Sequence, residues 1–550
     1  MANLEISFET IKKEIKRNNL TIDELSDILF DFGLEIDSYD KDTDEVKIEI
    51  TAERIDLLSV DGFLRSLKAY LGIKECPIYH AKDSGLVVNV LGSAREYGNY
   101  TMCAIVKNLT LTEEKIKEII NIQEKLHLTY CRKRKSAAIG VYPLEKIKFP
   151  ITFLAEDPKK IKFIPLGETK ELTGEQILTE HETGKEYATL VSGKKKYLIF
   201  LDSNNQVLSM PPIINSESTG RVTEHTKEVF IECTGQNLIK LKYIISILTT
   251  VFSDLGGEVY SLTINYSDGA KIVSPDLTYE KRIISIKGAN KILGTDVTPE
   301  TSINLLKKMC YQSKVIDKDK VEVLIPPFRS DVLHDYDIYD DLGRAYGFSN
   351  IKLKEPKIFT VGGLDETTEK QDNIIKLMTG MGFCEVMPLS LSSKKQSFEN
   401  FNLSGNNYID LGFSADSNLN IVSNWLIPKL FVVLSNNQHR SYPQKIFSCD
   451  EVVLFDRTLE TRSKNVLHTA CLIANTTVTF TEVSSILLAL CNSLGRELKL
   501  EKDNFPYYIK GRSAKIIIDG KNVGTIGEFS PDVLIKNNYQ TPVCGFEIEI

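Results

Sequence analysis

Long apolar runs, paired cysteines and an excess of positive charge are all missing from this sequence, and each absence removes a class of function. The most lipid-like stretch, from Tyr243 to Phe252, is interrupted by Ser246, Thr249 and Thr250 and is too short to cross a bilayer. It reads as one face of a buried helix, and no membrane role is expected. The ten cysteines are scattered, with no C-x-x-C pair and no Cys/His cluster at zinc spacing. That pattern predicts reduced thiols in the cytosol rather than a disulfide frame or structural zinc. The opening MANLEISFETIKKE carries an acid at Glu5 and no apolar core, so no export signal is expected and the chain is placed in the cytoplasm. With a net charge of −8, bulk attraction cannot hold a polyanion; nucleic acid would need a local basic patch or a basic partner. Internal repeats and low-complexity tracts are absent too.

What is present is a chain of 550 residues, 42% hydrophobic, long enough for three or four domains. Thr21-Ile-Asp-Glu24 is a capping box ahead of Leu25, Ile28, Leu29 and Phe32, and Gly33 stops that helix. Val46, Ile48 and Ile50 alternate as a strand does, and residues 57–71 have helical periodicity. Strands are expected at 195–202 and 228–234, followed by a long amphipathic helix through Leu241, Ile245, Leu248 and Phe252. Thr298 caps a further helix with Pro299 at its first position. Near the C-terminus, Asp519-Gly520 is a type I′ turn candidate between two strands.

The stretch RSDVLHDYDIYDDLGRAYGF, residues 329–348, holds five aspartates among the eleven residues from Asp331 to Asp341. Pro326 and Pro327 precede it, so a helix should begin within 331–335. On that helix Ile338, Leu342 and Ala345 share one face, and Asp337, Asp340, Asp341 and Arg344 another. Two readings are open. Acids in a first turn complement the helix dipole, each worth about 0.3–1 kcal/mol, and face water; or several carboxylates converge on a hard cation such as Mg²⁺.

IPPFRSDVLHDYDIYDDLGRAYGFSNI closely resembles the β-subunit family of phenylalanyl-tRNA synthetase, in its archaeal and eukaryotic cytosolic form. The resemblance extends in order through DLLSVDGFLRSLKAYLGI (56–73), VLSMPPIINSESTGRVTEHTKEVFIECTG (207–235), PDLTYEKRIISIKGANKILG (275–294), LSNNQHRSYPQKIFSCDEV (434–452) and AKIIIDGKNVGTIGEFSPDVL (514–534), nearly the full chain. It implies an α+β multidomain fold. The parts are a small N-terminal α+β domain over 1–85, a mixed α/β editing domain over 86–270, a helix-rich, metal-carrying domain resembling nucleic-acid-binding folds over 271–355, and a degenerate class II synthetase-like antiparallel-sheet domain over 356–550. It also implies a catalytic α subunit as partner, in a tetramer of two α and two β, with tRNA(Phe) and with ATP as a substrate bound by the α subunit. A Mg²⁺ shared with that subunit would take Asp331, Asp337, Asp340 and Asp341, leaving Asp335 a bystander.

In class II sites an arginine in a Phe-Arg-x-Glu-like motif and a second in a later Gly-rich motif clamp phosphates. Here the corresponding stretches read PQKIFSCDEV and GKNVGTIGEF, without either arginine and with Lys445 as a point charge at most. No aminoacylation chemistry is therefore expected of this chain alone. The family's editing module hydrolyses tyrosine wrongly attached to tRNA(Phe), because a pocket for an apolar side chain cannot fully reject an isostere that adds a hydroxyl. By motif match Ser209, Asn215, Glu232 and Thr234 line that pocket beside the Pro211-Pro212 turn, with the Glu232 carboxylate accepting the phenolic proton. Without the resemblance, an exposed strand face would be the favoured account of both Glu232 and Thr234. No Ser–His pair is evident and His225 is the nearest histidine, so water attack is expected. Arg132, Lys133, Arg134 and Lys135 are possible tRNA contacts, as is the run Lys194-Lys195-Lys196. The family often has Asn-Arg-Pro-Asp where this chain reads Glu53-Arg54-Ile55-Asp56, and Arg54 and Asp56 should form a structural ion pair. The expectation is an editing-competent, non-synthetic subunit. The alternatives are a structural or tRNA-binding scaffold whose pocket is inactive, and a free-standing nucleic-acid-binding protein.

Overall fold

A computed structural model describes residues 2–97, 100–405, 407–414 and 416–550. Two compact units divide the chain, Met1–Glu355 and Pro356–Ile550.

The first unit starts with a three-stranded antiparallel sheet in which Glu45–Ile50 lies between Ala2–Ser7 and Glu35–Asp40. Val46, Ile48 and Ile50 alternate onto one buried face and share a core with Leu25, Leu29 and Phe32 of the helix Ile22–Phe32. The capping box is formed: the Glu24 N–H donates to Thr21 Oγ1 at 3.2 Å and the Thr21 N–H to Glu24 Oε2 at 2.9 Å. Gly33, at φ 94°, ends the helix in the left-handed conformation that a residue with a Cβ resists.

Among the described residues ten strands then build one mixed sheet. Its order is Ile214–Asn215, Val207–Met210, Tyr197–Leu201, Ile151–Glu156, Lys82–Val90, Glu258–Tyr266, Tyr100–Lys107, Val229–Gly235 and Ala137–Pro143, with Lys271–Ser274 added to Glu258–Tyr266. Val229–Gly235 pairs on both edges, with Tyr100–Lys107 and Ala137–Pro143. The helix Leu238–Asp254 packs on it, and residues 229–234 are all buried. A strand covered on both faces has no wet side, so the exposed-face account of Glu232 and Thr234 fails.

Glu280–Ser285, Lys320–Ile325 and Gln312–Val315 make a third, antiparallel sheet, accompanied by the helices Ile286–Leu293, Pro299–Lys308 and Asp335–Tyr346. Its helices hold 8, 10 and 12 residues and its strands 6, 6 and 4, so helix outweighs strand in this segment. Thr298 caps its second helix with Pro299 at the first position.

The second unit is built on a seven-stranded sheet ordered Cys384–Glu385, Gln444–Phe455, Ser463–Ala474, Val543–Glu549, Lys521–Phe529, Tyr508–Ile518 and Leu498–Lys502. The first pair is parallel and the others antiparallel. Phe447, Cys471 and Phe546 pack with the helices Glu366–Gly380 and Phe480–Ser493. Their chain neighbours Ile446 and Leu472 pack with Ile427–Asn436 and Pro531–Lys536, as period-two alternation requires of a sheet filled on both faces. Asp519 and Gly520 turn the hairpin at φ 47° and 80°, the two positive values a type I′ turn needs. Among the described residues no helix is long and apolar enough to cross a membrane.

Candidate functional site

Where Ala137–Pro143 and Val229–Gly235 meet the helix Glu113–Leu128 and the segment 211–215, they enclose a cavity of about 420 Å³. Much of its wall is apolar, including Ile116, Ile119, Ile139, Val141, Ile213 and Val222. Glu232 is in register with Gly140 on one side and Cys103 on the other, and it is 2% exposed. Its Oε1 accepts the Tyr142 hydroxyl at 3.0 Å, and its Oε2 is buried without a partner. Burial raises the Glu232 pKa to about 8 against the opposing pull of the Tyr142 hydrogen bond. At neutral pH the side chain is mostly the neutral acid, and with Oε1 engaged it offers Oε2–H as a donor. The motif implies acceptance of a phenolic proton by a carboxylate; the raised pKa, caused by burial, favours the neutral acid before substrate enters the pocket.

Of the other motif residues, Asn215 also lines the cavity, and its Oδ1 accepts the same Tyr142 hydroxyl at 3.3 Å. Ser209 lies opposite Asn215 in a strand pair, its Oγ beside Tyr142 but outside hydrogen-bond geometry. Thr234 is buried two residues beyond Glu232. Neither Ser209 nor Thr234 reaches the cavity wall, and His225 is exposed away from it. The Pro211-Pro212 peptide bond is cis.

Sequence reasoning missed the opposite wall. Gln123 and His127 recur at four-residue spacing with Ile119 on the helix Glu113–Leu128, a signal that was available. His127 Nδ1 lies 3.1 Å from Glu124 Oε1, and its Nε2 accepts the Ile139 N–H at 2.9 Å. Both ring nitrogens are engaged, and burial lowers the pKa despite the Glu124 contact, so His127 is neutral and not a free base. The basic run divides. Arg132, Lys133 and Arg134 all have positive φ, at 52°, 52° and 61°, and this turn sends Arg134 inward. Its guanidinium donates to Glu124 Oε1 at 3.0 Å and to the Ile213 carbonyl at 2.9 Å, while Arg132, Lys133 and Lys135 stay exposed.

The acidic segment is sorted differently from the expectation. Arg329, fully inside the fold, donates to Asp331 Oδ1 and Oδ2 at 2.9 and 2.7 Å and to Asp341 Oδ2 at 2.6 Å. Tyr311 also donates its hydroxyl to Asp341. Burial would raise the Asp331 pKa, but the adjoining guanidinium outweighs it and holds the carboxyl below its usual range. Asp337 instead caps the helix Asp335–Tyr346, accepting the N–H groups of Leu333 and His334 at 2.7 and 2.6 Å. Asp340 pairs with Arg344 at 2.8 Å, and Asp335 lies 4.0 Å from Arg282. Asp331, Asp337, Asp340 and Asp341 thus each have a partner within the chain, and among the described residues no group of three His, Cys, Asp or Glu is arranged to hold a metal ion. Within this chain Arg329 compensates Asp331 and Asp341, and a magnesium shared with a second subunit would take its further ligands from that partner. Nearby, Arg54 clamps Asp56 through two bonds of 2.9 and 3.0 Å, the buried ion pair expected.

In the second unit, Lys445 on the strand Gln444–Phe455 lies 3.6 Å from Glu482. Under the helix Ile427–Asn436, buried Glu547 accepts the Leu426 and Ile427 N–H groups at 2.9 Å and contacts His468 Nδ1 at 2.7 Å. This carboxylate anchors a helix N-terminus.

Four family models match the chain: the Phe-tRNA synthetase beta subunit B1 domain over residues 1–73, the B3/4 domain over 106–244, the tRNA synthetase B5 domain over 283–348, and the phenylalanyl tRNA synthetase beta chain CLM domain over 351–550. Their descriptions set the class, that of the aminoacyl-tRNA synthetases. The phenylalanine–tRNA ligase beta subunit of Pyrococcus furiosus is 36% identical over 548 residues, 98% of each chain. That of Methanocella arvoryzae is 35% identical over 555 residues, covering 100% of this chain and 99% of the other. A solved N-terminal fragment of the phenylalanyl-tRNA synthetase beta-subunit from Pyrococcus horikoshii, 35% identical, matches with a TM-score of 0.59 over 63% of this chain and 99% of the fragment. The chain belongs to the phenylalanine–tRNA ligase beta subunit family.

Proposed function

We propose that this chain is the non-synthetic partner of a catalytic α subunit in a tetramer of two α and two β, and that its cavity hydrolyses tyrosine wrongly attached to tRNA(Phe). The α subunit binds ATP and joins phenylalanine to the tRNA. The present chain, lacking both phosphate-clamping arginines, contributes a degenerate class II-like sheet to the assembly. Exposed Arg132, Lys133 and Lys135 meet tRNA phosphates.

The observation that carries the editing role is that Glu232 lines the cavity with its Oε2 buried and left without a partner. A tyrosyl ring fits between the isoleucine side chains, and its phenol oxygen accepts the Oε2 proton. A phenylalanyl ring leaves that buried group unpaired, a penalty of about 1–3 kcal/mol. With His127 bonded at both nitrogens, water attacks the ester carbonyl; the ester C–O bond breaks, the tRNA hydroxyl regains a proton and tyrosine leaves as the free acid.

Deacylation of Tyr-tRNA(Phe) and Phe-tRNA(Phe) by the α–β complex tests this. Glu232→Ala is expected to cut the preference for the tyrosyl ester about tenfold or more. Unchanged rate and selectivity would overturn the assignment. A wild-type complex that deacylates no faster than buffer would favour the scaffold reading.

A further inference from the structure

Glu232 can select a hydroxyl only if one of its oxygens is held free and aimed into the cavity, and a buried carboxyl on a flexible stem does not hold that pose alone. The free oxygen is Oε2; the other is bound by Tyr142, a side chain with no solvent exposure that the motif does not single out. The Tyr142 hydroxyl has one proton and sits between two acceptors, Glu232 Oε1 at 3.0 Å and Asn215 Oδ1 at 3.3 Å. Its ring is fixed in turn, tilted 33° against Phe230 at 5.9 Å between centroids. The strand leaves room for this arrangement at one position only. Gly140, two residues before Tyr142 and in register with Glu232, lacks the Cβ that would lie 2.3 Å from the Tyr142 hydroxyl and 2.5 Å from Glu232 Oε1.

We propose that Tyr142 is the positioning residue of the tyrosine-selective pocket: it engages Oε1, joins Glu232 to Asn215, and thereby leaves Oε2 as the single group that reads the para position of the aminoacyl ring. The proposal rests on the editing reading given above. Gly140 is part of the same device, since any side chain there would push the hydroxyl and the carboxyl apart.

Tyr142→Phe removes one oxygen and keeps the ring. In the α–β complex, single-turnover deacylation of Tyr-tRNA(Phe) and Phe-tRNA(Phe) is measured from pH 6 to pH 9, with thermal unfolding as the check on folding. The expected result is about a tenfold loss of tyrosyl over phenylalanyl preference, arising from weaker binding of the tyrosyl substrate alone. The midpoint of the pH profile should also rise, because the lost hydrogen bond favoured the ionised acid. Beside Glu232 the titratable groups are the phenol of Tyr142 and the thiols of Cys103 and Cys233, all raised by burial and neutral across this range; across the cavity stand Glu124, lowered by its His127 hydrogen bond, His127, lowered by burial, and the guanidinium of Arg134. Gly140→Ala, which keeps the hydroxyl on the ring but displaces it from Oε1, should produce the same loss of preference and stands in if Tyr142→Phe does not fold. Equal slowing of both esters with an unmoved midpoint would reduce Tyr142 to a packing role and overturn the proposal, as would wild-type preference in both variants. If Glu232→Ala abolishes the preference while these two keep it, the positioning role alone fails. If Glu232→Ala keeps it, the editing reading fails first.

Discussion

Ionising Glu232 inside the fold is far harder than ionising it in an unfolded chain, because Oε2 faces neither water nor a cation. Its folded pKa, about 8, lies above the usual glutamate value near 4.3, so the folded state keeps a proton that the unfolded state releases. The contribution to stability is therefore fully present below about pH 4 and is lost progressively up to about pH 8, after which it is flat. Glu232→Gln cannot ionise, so its melting temperature should gain on that of the wild type through this window and hold the gain above it. Parallel melting curves from pH 4 to pH 9 would show that the acid is solvated or paired. The importance of position 232 was legible only through the family motif, since a lone acid between Ile231 and Cys233 looks like any half-wet strand. Tyr142 was not legible at all: it sits in an apolar run, and its use depends on Gly140 and Glu232 being side by side in register, a pairing 92 residues apart in the chain. Register between distant strands is not written in either strand.

Single elements were read more successfully, because their signals are local. The capping box at Thr21, the Thr298-Pro299 helix start and the Asp519-Gly520 turn each stand where residue chemistry places them. The aspartate-rich segment shows where local reading stops. Helical spacing set Asp341 among the surface acids, but the chain ahead of the helix brings Arg329 beneath Asp331 and Asp341, and the three close into a buried ion group. Arg329→Ala would leave two buried carboxylates without their cation, and a loss of about 3–5 kcal/mol in unfolding free energy is expected. The sign of its pH dependence follows from the depressed pKa of Asp331: the pairing stabilises above the unfolded carboxyl pKa and is lost as pH falls through the lower folded value. The gap between variant and wild type in chemical denaturation should therefore narrow in acid. Adding a chelator to the isolated chain should leave its wild-type curve in place, since the charge is balanced by arginine; a shift on chelation would show an ion bound within this chain.

At the scale of the molecule, charge and connectivity matter more than any one contact. On the proposed reading a chain of net charge −8 would meet tRNA through local cations, which makes the turn at 132–135 and the join between the units the exposed segments of consequence. They differ physically. At the turn, the N–H groups of Arg132, Arg134, Lys135 and Ser136 donate to the carbonyls of Thr129, His127, Arg132 and Cys131 respectively, so a protease must break that lattice to fit the chain. At the join, residues 352–364 form neither helix nor strand, and Leu353, Phe359 and Val361 are 101%, 98% and 94% exposed. Lys352, Lys354 and Lys357 lie in this stretch, while the clusters of buried side chains stay within one unit or the other. Limited trypsin digestion should therefore cut first at these three lysines and release two long-lived fragments, one ending near residue 355 and one running from there to the C-terminus, as read by intact mass. Primary cleavage at Arg132–Lys135 instead would mean that the turn opens more easily than its hydrogen bonds indicate, and that the inward pose of Arg134 against the cavity is not held.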